Sequence, residues 1–197
     1  MQQFSLSANI EEGLGKGFKY IVTPNSRDVA AGLIDGYRSG IHSFTVIGSY
    51  GTGKSSFLLA LEKNLLGDDS VNLLNPHTLS TNGKFEVLKM VGDYKDLASL
   101  MRDKLQIDGP ETNVRDNLRE IYGRVKKQGK FLVILIDEFG KVLEHAAKKN
   151  PEQELYFMQK LAEFVNVPTR QILLITTLHQ NFSSYARKLT DVQKEEW

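Results

Sequence analysis

Short apolar runs alternate along this chain with segments whose apolar residues recur every three to four positions. That pattern belongs to parallel strands buried in a sheet and to helices laid across it. The first strand is predicted at residues 44–47. It follows a helix that starts at Asn25 or Ser26, ends at Gly40 and carries Val29, Leu33 and Tyr37 as its apolar stripe. A glycine-rich turn leads into a helix over residues 55–66, with Leu58, Leu61 and Leu65 on one face and Gly67 as its stop. Residues 71–74 and 85–91 both have strand composition, with turn-rich 75–84 between them, and at least one should join the sheet.

Two helices follow. One is capped by Asp93 and carries Leu97, Leu100, Met101 and Leu105; the other carries Val114, Leu118, Ile121 and Val125 and stops at Gly129. Residues 131–136 are apolar without alternation, as a central strand covered on both faces requires. Asn150-Pro151-Glu152-Gln153 supplies a cap, a first-turn proline and a polar third position. The helix it starts should bury Leu155, Met158, Leu161 and Val165 and break at Pro168. Residues 172–175 are the last clear strand, and 181–197 form a polar, partly helical tail.

The alternation predicts an α/β domain with a mostly parallel central sheet between two helical layers. At 197 residues and 41% hydrophobic the chain can bury one sizeable core, and no repeat or linker divides it. A net charge of +1 offers no field to draw nucleic acid or an anionic membrane, although Arg124, Lys126, Lys127 and Lys130 form a local basic stretch. Such a stretch suits a helix end; contact with DNA or RNA is the alternative. The absence of cysteine removes disulfides, thiol nucleophiles and Cys-ligated zinc, and suits a reducing cytoplasm. No secretory pattern opens the chain, and no apolar run reaches the ~20 residues that span a bilayer.

Gly48-Ser49-Tyr50-Gly51-Thr52-Gly53-Lys54-Ser55 fits G-x-x-x-x-G-K-[ST] at every fixed position and lies between a predicted strand and a predicted helix. The glycines let the backbone wrap round an anion, and the helix start adds partial positive charge. Lys54 should reach the β- and γ-phosphates of ATP, Ser55 should supply an oxygen to Mg²⁺, and Ser56 follows in the same turn. Gly13-Leu14-Gly15-Lys16-Gly17 looks similar but has no preceding strand and reads as a turn.

About 80 residues later the buried strand 131–136 ends in Asp137-Glu138, a Walker B pattern. Asp137 should hold Mg²⁺ through its water shell, and Glu138 should orient or deprotonate the water that attacks the γ-phosphate.

Together GSYGTGKS, LIDEFGK and the strand ILLITT resemble the AAA+ branch of the additional-strand P-loop ATPases, over roughly residues 20–182. The resemblance implies a three-layer P-loop NTPase fold, with residues 1–19 as an extension and 183–197 as a tail leading into further domains. It also implies a polar γ-phosphate sensor at the tip of the strand beside the acidic one, where Thr176 and Thr177 stand. Residues 20–24 occupy the place where origin-recognition-like members pack on the adenine. AAA+ proteins add a helical lid, an arginine finger from a neighbouring subunit and a homo-oligomeric state. No lid is visible, and Arg187 is the one arginine after the last strand. Residues 137–141 and 178–182 also resemble the N-terminal ATPase modules of large bacterial proteins associated with phage defence.

The GTPase signature N-K-x-D and the ABC signature L-S-G-G-Q are both missing, which favours ATP in a motor or switch. A phosphotransferase acting on a small acceptor and a non-hydrolysing ATP-gated module are the alternatives. His179 and Gln180 follow the sensing strand, where they could contact nucleotide or simply face solvent.

Overall fold

The computed structural model describes residues 9–12, 19–106, 112–149 and 151–185, without the side chains of 112–115. Its centre is the apolar run identified above, Phe131–Asp137, in which every residue is buried. With Ser43–Ile47 (β1), Phe85–Val91 (β2) and Ile172–Leu178 (β4), this strand (β3) forms a four-stranded sheet in the order β1-β4-β3-β2. Every pairing is parallel. All four strands therefore end at one edge, and the segments that follow them share it.

Side chains alternate across β3, and the alternation divides the core into two layers. Phe131, Val133 and Leu135 pack with Ala30 and Leu33 of α1 (Pro24–Arg38) and with Phe57, Leu58 and Leu61 of α2 (Lys54–Leu65). Leu132, Ile134 and Ile136 face the other side. There they meet α3 (Leu97–Leu105), α4 (Thr112–Lys127), α5 (Gly140–Lys149), α6 (Pro151–Val165) and the short α7 (Phe182–Tyr185). The result is the predicted three-layer α/β arrangement.

Several boundaries differ from expectation, each for a local reason. Thr23, rather than Asn25 or Ser26, caps α1: Thr23 Oγ1 accepts from Ser26 N at 3.2 Å, Ser26 Oγ accepts from Thr23 N at 3.0 Å, and Pro24 fills the first turn. Asp96, rather than Asp93, caps α3, with its carboxylate accepting from Ser99 N at 2.6 Å. Residues 71–74 are not a strand. Their apolar side chains are buried beneath α2, but Leu74 N donates to the side chain of Asn64 at 2.9 Å, so a side chain takes the place of a neighbouring strand.

Residues 140–149 form a helix, α5, that the pattern did not announce. In α6 the buried residues are Glu154, Leu161, Phe164 and Val165, while Leu155 and Met158 are half-buried. Glu154 is tolerated inside because its Oε2 accepts from Leu97 N at 3.1 Å, at the start of α3. β4 continues three residues past 175, since Thr176, Thr177 and Leu178 pair with Thr45, Val46 and Ile47 of β1. Asn150, Arg187 and the run Gly13–Gly17 lie outside the described residues, as do residues 1–8, 186–197 and the side chain of Val114.

Candidate functional site

The segment from Gly48 to Gly53 leaves β1 and enters α2 directly. Gly51 and Gly53 hold φ of +77° and +85°, a region that costs other residues energy. Gly53 occupies the cap position of α2, and no side chain bonds to the helix start. The first N–H groups of a helix have no partners of their own, so this start is able to receive an anion. Thr52 Oγ1 donates to Ser49 O at 2.8 Å and closes the loop on itself.

Lys54 begins α2 and is buried. Its ammonium donates to Gly48 O at 2.6 Å and to Ser49 O at 2.9 Å, which holds its charge in the mouth of the loop. Burial pushes the Lys54 pKa below its ordinary value, and the carboxylates of Asp137 and Glu138 pull it back up. The acids therefore act on the same end of the sheet as the lysine. Ser55 and Ser56, both half-buried, complete the first turn of α2.

β1 and β3 are separated by β4, so two strand spacings, about 10 Å in all, lie between the loop and the acids. The strand ends are tied together across this gap. Gly48 N donates to Leu178 O at 3.1 Å, Phe139 N to Thr177 O at 3.0 Å, and Gly92 N to Asp137 O at 2.7 Å. Gly92 has to be glycine for steric reasons, because a Cβ there would meet the Glu138 carbonyl carbon at 2.8 Å and Asp137 O at 3.1 Å.

Asp137 is 2% exposed. Its Oδ1 accepts from Thr177 Oγ1 at 2.5 Å and from Glu138 N at 3.0 Å; Glu138 N also donates to Thr177 Oγ1 at 3.0 Å. Glu138 holds φ of +51°, an uncommon conformation for a residue with a side chain and one that clusters at functional positions. Its Oε2 is ion-paired with the ammonium of Lys141 in the first turn of α5, and the hydrogen bond to Glu138 raises the Lys141 pKa.

The two candidate threonines part company. Thr177 lies on the α2 side of the sheet with Asp137, whereas Thr176 faces the other side and bonds Thr45 Oγ1 at 2.9 Å. Neither is the strand tip, because β4 runs on to Leu178. A cavity of about 290 Å³ opens on the Thr176 side, lined by Thr45, Leu143, Met158, Thr176 and Phe182 among others. It lies across the sheet from the phosphate loop and belongs to the α5–α6 layer.

Two neighbours of the site, Gly92 and Lys141, and one contact between residues already named escaped the sequence reading. Gly92 could have been found as a glycine directly after a strand. Lys141 follows Glu138 by one helical turn, a spacing visible only once α5 is known. Tyr50 stacks on His179 with ring centroids 3.7 Å apart and planes at 19°. Burial, then the charge of Lys54, lowers the His179 pKa, opposed by Glu138 and Asp137. The basic stretch near the end of α4 precedes β3, so it sits at the opposite edge of the sheet, with Lys130 paired to Glu86 at 2.8 Å.

Among solved structures the chain resembles the Aeropyrum pernix ORC2 protein in its ADPNP–ADP complexes, with a TM-score of 0.52 and 14% identity over 92% of this chain and 48% of that one. It resembles the ADP form of the same protein with a TM-score of 0.50, also at 14% identity over 92% of this chain and 48% of that one. C. elegans PCH-2 aligns at a TM-score of 0.49 and 14% identity, over 89% of this chain and 41% of that one. The chain thus spans less than half the length of these proteins. At this identity the likeness to ORC2 establishes the fold alone, a three-layer α/β arrangement of the P-loop NTPase kind. No family model matches the chain, and no curated protein matches it by sequence. No helix among the described residues is long and apolar enough to cross a membrane.

Proposed function

We propose that the chain binds Mg·ATP at the carboxyl ends of β1, β4 and β3 and hydrolyses it to drive a switch in a larger protein. The observation that carries this reading is the meeting, at one sheet edge, of an uncapped helix start, a buried lysine and the Asp137–Glu138 pair. The N–H groups of residues 51–55 cradle the β- and γ-phosphates, and Lys54 neutralises them. Glu138 orients or deprotonates the attacking water, and Thr177 positions both acids. The exposed Ile21, in the segment before α1, offers an apolar contact for the adenine.

The donors suit magnesium. Ser55 and Asp137 both present oxygen, and Mg²⁺ bound with a triphosphate takes one or two protein oxygens and keeps several waters. No group of three or more His, Cys, Asp or Glu suited to a metal occurs among the described residues, and this mode of binding needs none. When bound, the ion offsets negative charge on the phosphates as it develops.

Further domains, a homo-oligomer with Arg187 as finger, a cytoplasmic setting and a role in phage defence belong to the same proposal, on the resemblance of the motifs. The Glu138–Lys141 ion pair favours one second reading, an ATP-gated binding module with little turnover. Phosphate release and ATP affinity, measured on the chain and on Glu138→Gln, decide between them. Wild type should release phosphate only with Mg²⁺, and Glu138→Gln should keep ATP affinity while losing about 10²- to 10⁴-fold in turnover. Binding without release by wild type supports the second reading; absence of ATP binding overturns both.

A further inference from the structure

The cavity on the Thr176 side of the sheet has a volume of about 290 Å³. Close-packed interiors leave few voids larger than a water molecule, and pockets that hold small molecules start at roughly this size, about 300 Å³. Leu155 and Met158 of α6 stand in its wall and remain half-buried, although their spacing places them on the apolar stripe of the helix. Phe182, 38% exposed at the start of α7, stands in the wall as well. Apolar surface is thus gathered round a hollow that the described residues leave unfilled.

The wall decides what can enter. Among the described residues none that lines it is charged, so a charged group would lose its hydration there without gaining a partner. Its polar side chains are three hydroxyls and one amide, those of Ser43, Thr45, Thr176 and Gln159. The oxygens of Thr45 and Thr176 lie 2.9 Å apart across the sheet, and the bond between them takes one proton and leaves lone pairs on both. Ser43 Oγ accepts from Asn166 Nδ2 at 2.8 Å, which leaves its own proton to donate. Ser43 and Thr45 are two apart on β1 and share one face of it. A hydroxyl, which donates and accepts at once, matches this set, and Phe139 and Phe182 suit a flat aromatic body.

The same wall is joined to the acidic pair through the chain. Ile136 and Phe139 line the cavity and stand on either side of Asp137 and Glu138, and Phe139 N donates to Thr177 O at 3.0 Å. Leu143, also in the wall, belongs to α5, whose Lys141 is ion-paired with Glu138. We propose that this cavity binds a small uncharged aromatic compound bearing a hydroxyl, and that its occupancy is passed through Phe139 to the backbone of Glu138. The site lies apart from the phosphate loop and does not depend on what that loop binds.

NMR of the whole chain, labelled at the methionine methyls and the backbone amides, tests it. Met158 lines the cavity, whereas Met90 and Met101 are buried elsewhere in the same layer. The probes are p-cresol, toluene, which lacks the hydroxyl, and p-toluate, which carries a charge. At pH 7 p-cresol should shift the Met158 signal with a dissociation constant of about 1 mM or tighter and leave Met90 and Met101 in place. Toluene should bind about three- to tenfold more weakly, the scale of one hydrogen bond, and p-toluate about tenfold or more weakly. Thr45→Val should narrow the difference between p-cresol and toluene. Ala162→Phe, which fills the cavity from α6, should abolish the shift while unchanged Met90 and Met101 signals report an intact fold; Ala162→Leu takes its place if those signals are lost. The Glu138 amide signal should move together with Met158 in the wild-type chain and stay fixed in the filled variant. A Met158 signal that p-cresol leaves unmoved, binding that survives the filling, or equal affinity for p-toluate overturns the site. A Glu138 amide that stays fixed at saturation overturns its link to the acidic pair.

Discussion

Replacing Thr177 with valine keeps the shape of the side chain and removes one oxygen. In the structure that oxygen donates to Asp137 Oδ1 at 2.5 Å and accepts from Glu138 N at 3.0 Å. Glu138 N retains Asp137 Oδ1 as a partner at 3.0 Å, so the loss falls mainly on the carboxylate, which is 2% exposed and is left short of a donor. Hydrogen bonds to charged groups contribute about 1.5–3 kcal/mol, so Thr177→Val should cost about 2 kcal/mol, roughly a factor of 30 in the unfolding equilibrium. Thr176→Val provides the comparison. It removes a neutral bond to Thr45 on the other face, worth about 1 kcal/mol. Urea unfolding at pH 7.5 measures the stabilities and phosphate release the turnover, where Thr177→Val should lose about tenfold or more by freeing the acids to move. If Thr176→Val proves the more damaging substitution in either assay, the assignment of the two threonines is wrong.

Gly92→Ala drives a Cβ against the backbone of Asp137 and Glu138, which cannot swing aside as a flexible side chain would. It should cost about 1–3 kcal/mol, and by shifting Glu138 up to ~1 Å it should cut turnover about 100-fold. Gly32→Ala, in α1 with nothing within 4 Å of the new Cβ, should instead stabilise by about 0.4–1 kcal/mol in the same urea assay. His42 makes stability depend on pH. It is 2% exposed, stacks on Tyr37 at 4.4 Å and donates from Nδ1 to Val165 O at 3.1 Å; burial lowers its pKa below 6.5 against the pull of that carbonyl. The unfolded chain then takes up this proton at higher pH than the folded one does. The stabilisation is complete above about pH 6.5 and shrinks as pH falls below it. His42→Phe should narrow the difference in urea midpoint between pH 7.5 and pH 5.5; an unchanged difference would assign that dependence to other groups.

The sheet and the phosphate loop were legible because their signals are local. An unbroken apolar run announces a strand covered on both faces, and fixed glycine spacing announces a loop that wraps an anion. α5 was not legible. Its buried face is only Gly140, Val142, Leu143 and Ala146, too few large apolar positions to mark a helical period. Residues 71–74 misled in the opposite sense, since a short, largely apolar segment packs equally well as a loop once Asn64 takes up the N–H of Leu74. The choice between Thr176 and Thr177 could not be made from composition, because it depends on the parity of β4 relative to β3. The register Ile136↔Thr176 sets which of the two shares a face of the sheet with Asp137. The Tyr50–His179 stack joins residues far apart in sequence, and no spacing rule connects them.

The account is tested most directly by a crystal structure of the chain with Mg²⁺ and a non-hydrolysable ATP analogue. The β- and γ-phosphates should lie on the N–H groups of residues 51–55, with the metal between the Ser55 hydroxyl and the Asp137 carboxylate and its water shell facing Glu138. A triphosphate seated elsewhere on the molecule, or a metal remote from Asp137, would contradict it.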